Sequence, residues 1–513
     1  MAPRTDGTAT YADRVGHRRT AASAAAVLLG LCAGLLVSGL GGATASAAVG
    51  RAALTVRVDA RDFSYTLSRS SVPVGTPVTF VVRNRGSAPH DFVIAGRRTR
   101  ILPPGATASL RTTFTRRGQK AFLCSVPGHA RLGMRGRFGV GAPAAASPPP
   151  PPPPPIVVAG SARLTEVGRF ERPVHVTAPP GDDRRLFVVE QAGRVRVVED
   201  GAVRQEPFLD LRDEVMLTSE PGLLSLAFAP DWATSRLAYV FYNQRKGNGD
   251  IRIAEVRARA ANTSVADTAT LRTVLEIVKP WENHNGGMLQ FGPDGYLYAS
   301  VGDGDSGVLN RPGAFAQSRD ELLGNILRID PRGGVPYAVP NDNPFVGEDG
   351  VRPEIWAYGL RNPWRFWIDH ASRQTVIADV GLGRSEELDV VPAGAGGLNF
   401  GWPCFEGTLP QDPGARCAEA VPPALELGRE NGSCSVIGGV VVHDPRLPAL
   451  AGRYLFGDYC TGAIESVRLE GGTLVDRVPL RLVVPELSSF GVDGAGRVYV
   501  TSTGGAVYRL DPV

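Results

Sequence analysis

At 513 residues the chain is too long for one ordinary hydrophobic core, so two or more domains are expected. Hydrophobic residues at 43% and charged residues at 21% are the balance of a soluble globular protein. A net charge of +4, with no aromatic residues interleaved among the basic ones, argues against a nucleic-acid partner.

The chain opens with Arg4, Arg14, Arg18 and Arg19, continues as an apolar run from Ala24 to Leu40, and reaches the small-residue stretch ATASAA near Ala47. This order reads as an export signal over residues 1–47. It does not read as a transmembrane anchor, because the run is Ala/Gly-rich and ends in a processing motif. Arg18 and Arg19 permit twin-arginine export and leave the general route open, while Leu31 is too large for Cys32 to sit in a good lipidation site. A secreted, periplasmic or cell-envelope protein is expected.

Residues 51–141 contain ALTVRVDA, TPVTFVVRN and RGRFGVG, which alternate as half-buried strands do, between Gly, Pro and Ser turns. Within this region Cys124, His129 and Met134 follow one another at a spacing of five residues, and His90 lies upstream in SAPHDFVI. A thiolate, two imidazoles and a weak thioether form the ligand set of a type 1 copper ion. The alternative is a buried Cys with two surface His. The pattern resembles the plastocyanin-like cupredoxins, which implies a small Greek-key sandwich that cycles one copper ion and needs a redox partner. Copper storage or delivery is a weaker implication, since this ligand set favours rigid electron transfer.

Residues 142–157 form a Pro-rich linker, in which Pro148–Pro155 make a stiff rod of about 25 Å. Charge divides along the same boundary. Residues 51–141 hold sixteen basic and three acidic residues, a net of +13; with +2 on residues 1–50, the chain total of +4 leaves −11 on residues 156–513. Opposite charges on tethered domains favour docking that weakens with salt.

From Leu186 onward short strands recur around Gly and Asp turns, as in RLFVVEQAGRVRVVEDG, FGPDGYLYASVGDG and VDGAGRVYVTSTGGAVYRLDP. No amphipathic helix separates them, so residues 158–513 are expected to form a β-propeller of about six blades with units of roughly 40 to 60 residues. The fold class is all-β: a cupredoxin sandwich followed by a six-bladed propeller. Export places Cys404, Cys417, Cys434 and Cys460 in an oxidising compartment. Pairing of Cys404 with Cys417 and Cys434 with Cys460 is favoured among three connectivities, with a four-cysteine zinc site as the competing arrangement.

The segments ENHNGGMLQFGPDGYLYASVGDGD, LLGNILRIDP, EIWAYGLRNPWRFWID, GLNFGWPCFEG and GRYLFGDYCTGAI are similar to the glucose/sorbosone dehydrogenase family, whose founding members are sugar dehydrogenases using pyrroloquinoline quinone (PQQ) and calcium. The resemblance implies that His284 is the general base for a sugar or polyol hydroxyl, that Asp303 orients it, and that Arg361 and Asn362 contact the quinone. It assigns calcium to the backbone carbonyls of Gly381 and Leu382. Departures are also present. Val380 and Glu220 stand where sugar-oxidising members have Gln, and a Lys and an Arg-x-Arg pair that neutralise the quinone carboxylates are missing. Cys434 and Cys460 resemble the hedgehog-interacting branch of the family, which keeps the scaffold without evident quinone chemistry. Two functions are thus implied: a quinoprotein dehydrogenase fused to its own electron acceptor, or a non-catalytic propeller that binds carbohydrate or cell wall and carries an electron-transfer domain.

Overall fold

A computed structural model describes residues 53–513 apart from 62–63, 87–88, 127–128, 131–133, 142–160, 305–314, 413 and 430. The signal over 1–47 and the linker over 142–157 lie outside the described residues. A four-residue helix, Trp232–Ser235, and a 3-10 turn, Pro448–Leu450, are the helical segments among them. No described helix is long and apolar enough to cross a membrane.

Two sheets make the first domain. In one, Leu54–Arg61 lies parallel to Pro77–Asn84, flanked by Ser64–Leu67 and Thr107–Thr113. In the other, Arg135–Val140 pairs with Gly118–Leu123 and with Ser71–Val72. The period-two pattern decides which side chains turn inward: Val56, Val58 and Ala60 alternate with exposed or half-buried neighbours, and register brings Val56 opposite Phe80 and Val58 opposite Val82. Phe80, Phe92 and Phe138 fill the space between the sheets, with edge-on and tilted ring contacts.

The second domain is built from six sheets of four or five strands. Their first strands are Pro173–Thr177, Leu223–Phe228, Leu289–Phe291, Pro363–Ile368, Val436–Val441 and Leu487–Val492. These strands follow one another around a ring, which closes where Pro173–Thr177 packs on Leu487–Val492. The sixth sheet draws its outer strand from the start of the domain: Ala162–Arg169 pairs with Ala506–Pro512. Successive first strands start 50 to 74 residues apart, wider than the 40 to 60 expected, because the third and fourth units carry long loops. Those loops supply much of the site described below.

The centre of the ring is held by a charged side chain. Arg365 is 2% exposed. Its guanidinium donates to the carbonyls of Val174, at 2.6 Å, and Leu224, and to Ser489 Oγ, so one residue of the fourth sheet ties together the first, second and sixth. Burial pulls it down to about 9, and the same burial together with the Arg365 charge holds His175 neutral, at about 3.

Candidate functional site

Three of the four residues read as copper ligands, His90, Cys124 and His129, bring their donor atoms together. His90 sits in a bridge to Leu102 beside the strand pair, Cys124 directly follows Gly118–Leu123, and His129 and Met134 come from the loop leading into Arg135–Val140. His90 Nδ1 is 3.1 Å from His129 Nδ1, and Cys124 Sγ is 3.5 Å from the same nitrogen. Donors about 2 Å from one ion at trigonal angles stand roughly 3.5 Å apart, so the set fits a copper ion of the type 1 class. Met134 is fully buried in the same core, and its backbone is tied to both neighbours: the Cys124 amide donates to Met134 O and the Met134 amide to His129 O. Burial pushes the Cys124 thiol up to about 11, so a bound cation is what would ionise it.

Asp91 escaped the sequence reading. Its carboxylate accepts from the Ser125 amide and hydroxyl, both at 2.6 Å, and its carbonyl accepts from Tyr65. The residue after His90 is therefore pinned to the residue after Cys124, which fixes two ligand-bearing segments against each other.

In the propeller, His284 and Asp303 meet as the family resemblance implies. His284 Nδ1 donates to Asp303 Oδ1 at 2.6 Å, leaving Nε2 as the basic nitrogen. The loop is tightly determined. His284 has φ of 53°, its amide donates to Glu220 Oε2 at 2.8 Å, and a Cβ on Gly302 would lie 2.2 Å from its carbonyl oxygen. Glu220, which replaces a Gln of the sugar-oxidising pattern, thus holds the backbone of the base. Lys279 braces the same loop: its Nζ donates to the carbonyls of Glu282 and Asn283 and to Asn285 Oδ1, and burial pulls it down to about 7.

Asp303 has a second partner. Trp402 Nε1 donates to Asp303 Oδ2 at 2.7 Å. Trp402 arrives from a distant loop because Leu398–Asn399 joins the third sheet in parallel with Ile355–Tyr358, and Cys404, two residues on, is bonded to Cys417. The second disulfide joins Cys434 and Cys460. The four cysteines are thus paired, which removes the zinc alternative.

Arg361 and Asn362 have their amides on the carboxylate of Asp379, at 2.8 and 2.6 Å, and burial raises Asp379 to about 7. Asn362 Oδ1 accepts from Gly286, and the Arg361 guanidinium reaches Val380 O at 2.8 Å. The carbonyls assigned to calcium face Arg429: Gly381 O at 3.0 Å and Leu382 O at 3.5 Å. As arranged, those oxygens do not fit calcium, because a guanidinium already uses them.

His284, Arg361, Asn362, Gly381 and Leu382 line one cleft of about 450 Å³, joined by Arg172 and Arg429, which no sequence motif had singled out. The Nε donors of Arg361 and Arg429 are buried there with no hydrogen-bond partner. A cleft of ligand size lined by Arg172, Arg361 and Arg429 fits an acceptor-rich, anionic molecule such as PQQ.

The chain is 28% identical to the HIPL2 protein of Arabidopsis thaliana over 361 residues, 57% of this chain and 51% of that protein. It is 30% identical to the aldose sugar dehydrogenase YliI of Escherichia coli (strain K12), over 43% of this chain and 56% of that one, and 30% identical to the hedgehog-interacting protein of Mus musculus, over 56% and 41%. The chain therefore spans only about half the length of these relatives. The PQQ-bound aldose sugar dehydrogenase of Streptomyces coelicolor shares the propeller fold, with a TM-score of 0.55 at 21% identity over 68% of this chain and 98% of that one. The glucose/sorbosone dehydrogenase family model matches residues 170–505, which is most of the propeller and more than half of the sequence. The arrangement of His284, Asp303 and the arginine-lined cleft is thus carried by a chain that belongs to the glucose/sorbosone dehydrogenase family.

Proposed function

We propose that this protein is an exported oxidoreductase that oxidises a sugar or related polyol with PQQ in the propeller cleft and passes the electrons to a type 1 copper ion in its cupredoxin domain. The observation that carries this reading is the His284–Asp303 pair, oriented from behind by Trp402 and opening on a cleft lined by three arginines. When bound, PQQ supplies a two-electron acceptor, and copper a one-electron centre at His90, Cys124, His129 and Met134. His284 Nε2 takes the proton from the substrate hydroxyl, and Asp303 holds the tautomer and stabilises the imidazolium that results. Arg361 and Arg429 would hold the anionic ligand by their charge on the cleft wall, and Asn362 holds the Gly286 turn beside the base. A copper centre in the same chain as a sugar-oxidising site would give reduced cofactor an outlet, which an inert propeller would not need.

The test is titration of the copper-loaded full chain with PQQ, followed by addition of aldoses and polyols. Bleaching of the blue copper absorption that requires both PQQ and substrate, and is lost in His284→Asn, is the expected result. Failure to bind PQQ overturns the reading. That outcome would favour the second one, a non-catalytic propeller that recognises carbohydrate or cell wall. Its support is the missing Lys and Arg-x-Arg pair together with relatives such as the hedgehog-interacting protein, whose name states a binding role.

A further inference from the structure

The carbonyls of Val380, Gly381 and Leu382 all accept hydrogen bonds from guanidinium groups: Val380 from Arg361, Gly381 and Leu382 from Arg429. Neighbouring carbonyl oxygens that share one partner are a cation site by their chemistry, and at Gly381 and Leu382 the cation is a side chain. Arg429 also forms an ion pair with Glu386, whose carboxylate is 1% exposed. The other oxygen of Glu386 accepts from the amides of Val436, at 2.9 Å, and Gly381, at 3.3 Å. The anion best placed to neutralise a metal beside these carbonyls is therefore already committed to Arg429.

We propose that Arg429 is the resident cation of the cleft and that this chain takes up its anionic quinone without calcium. The quinone part rests on the PQQ reading above; the cation part does not. Calcium wants six to eight oxygen ligands and offers no direction to a bound molecule beyond its charge. A guanidinium meets the two carbonyls and the carboxylate with three of its terminal hydrogens and still has two donors left, one on Nη1 and one on Nε. Arg429 lines the cleft, and its Nε is buried without a hydrogen-bond partner. The Nε of Arg361 is in the same condition. Both side chains line the cleft, where their charge favours an anionic acceptor, and a guanidinium adds a directionality that a spherical ion does not provide. Val380, which departs from the calcium-loop pattern of the sugar-oxidising members, lies in the same run of carbonyls.

The experiment is a calcium titration by calorimetry of the full chain, of Arg429→Gln and of Arg429→Lys, each stripped with chelator beforehand. Arg429→Gln leaves Glu386 and the carbonyls vacant and is expected to bind one calcium ion more than the wild type. Arg429→Lys keeps a cation on Glu386, controls for misfolding, and is expected to match the wild type. Equal calcium counts in the wild type and a folded Arg429→Gln overturn the assignment. In parallel, PQQ binding followed by fluorescence should be indifferent to chelator in the wild type. In chelator it should weaken roughly tenfold or more in Arg429→Gln, and recover in part when calcium is added. Wild-type PQQ binding that needs calcium overturns the calcium-free uptake. Absence of PQQ binding under every condition sinks the quinone reading alone, since the calcium count still decides what Arg429 does.

Discussion

Trp402 donates its indole N–H to the oxygen of Asp303 that does not face His284, so the carboxylate is gripped from both sides. A carboxylate held this way cannot rotate away from the imidazole. Trp402→Phe removes the bond while keeping most of the ring volume. Turnover with sugar is expected to fall roughly ten- to hundredfold, the value of one hydrogen bond to a charged group, with PQQ affinity unchanged. Asp303→Asn should cost more, about a thousandfold or greater, by presenting the wrong tautomer. Steady-state kinetics of both variants decide the matter, and an unaltered kcat in Trp402→Phe would remove the indole from the mechanism.

At the copper site the ligands make separable contributions. Cys124→Ser should abolish the intense blue absorption, because the thiolate is its source, whereas Met134→Leu should keep the colour and raise the reduction potential by weakening the axial donor to Cu(II). Voltammetry and visible spectra are the readouts. A blue Cys124→Ser protein would exclude this thiolate as a ligand.

Lys279 gives stability a pH dependence whose sign can be worked out. Its folded value is pulled down to about 7 by burial, against an ordinary value of 10.5. Between those limits the unfolded chain binds more protons than the folded one, so this group's contribution is fully present above 10.5 and is lost as pH falls through 7. The stability difference between wild type and Lys279→Met should therefore widen in favour of the wild type from pH 7 upward, by at most about 1.4 kcal/mol per unit. Urea unfolding at pH 6 and pH 9 measures it, and a gap that narrows with rising pH contradicts the burial argument.

Arg135 and Arg137 are exposed on the strand that directly follows Met134, and Arg131, the third member of this basic group, lies outside the described residues. With +13 on residues 51–141 and −11 on residues 156–513, electron transfer between the domains should slow with added salt. Replacing Arg135 and Arg137 by Glu should slow it at low salt too. Stopped-flow bleaching of the copper band tests this, and identical rates in wild type and variant at low salt would dismiss charge-guided docking.

Alternating strands and the Cys124–His129–Met134 spacing made the first domain and its donor set legible, because a period of two and a ligand loop are both local properties. His284, Asp303, Arg361 and Asn362 were legible through motifs, and the structure brings His284, Arg361 and Asn362 to one cleft with Asp303 buried behind His284. Trp402 sat inside a recognised motif without a visible role: its partner lies 99 residues away and is reached only through a parallel strand pairing. Arg429 and Arg172 gave no signal at all. A lone arginine in a loop of an Arg-rich chain looks the same whether it faces solvent or a carbonyl cage, and only packing separates the two.

The pairing of Ala162–Arg169 with Ala506–Pro512 has a consequence for how the molecule comes into being. The sandwich is complete once Val140 has emerged, so its metal pocket can form while the rest of the chain is still being made. The propeller has no such freedom. Its first strand must wait, unpartnered, for some 340 residues of chain, and until Pro512 arrives the ring has an open seam and an exposed strand edge prone to mispairing. Loss of the closing strand would therefore spare the sandwich and turn the larger domain into an aggregation hazard.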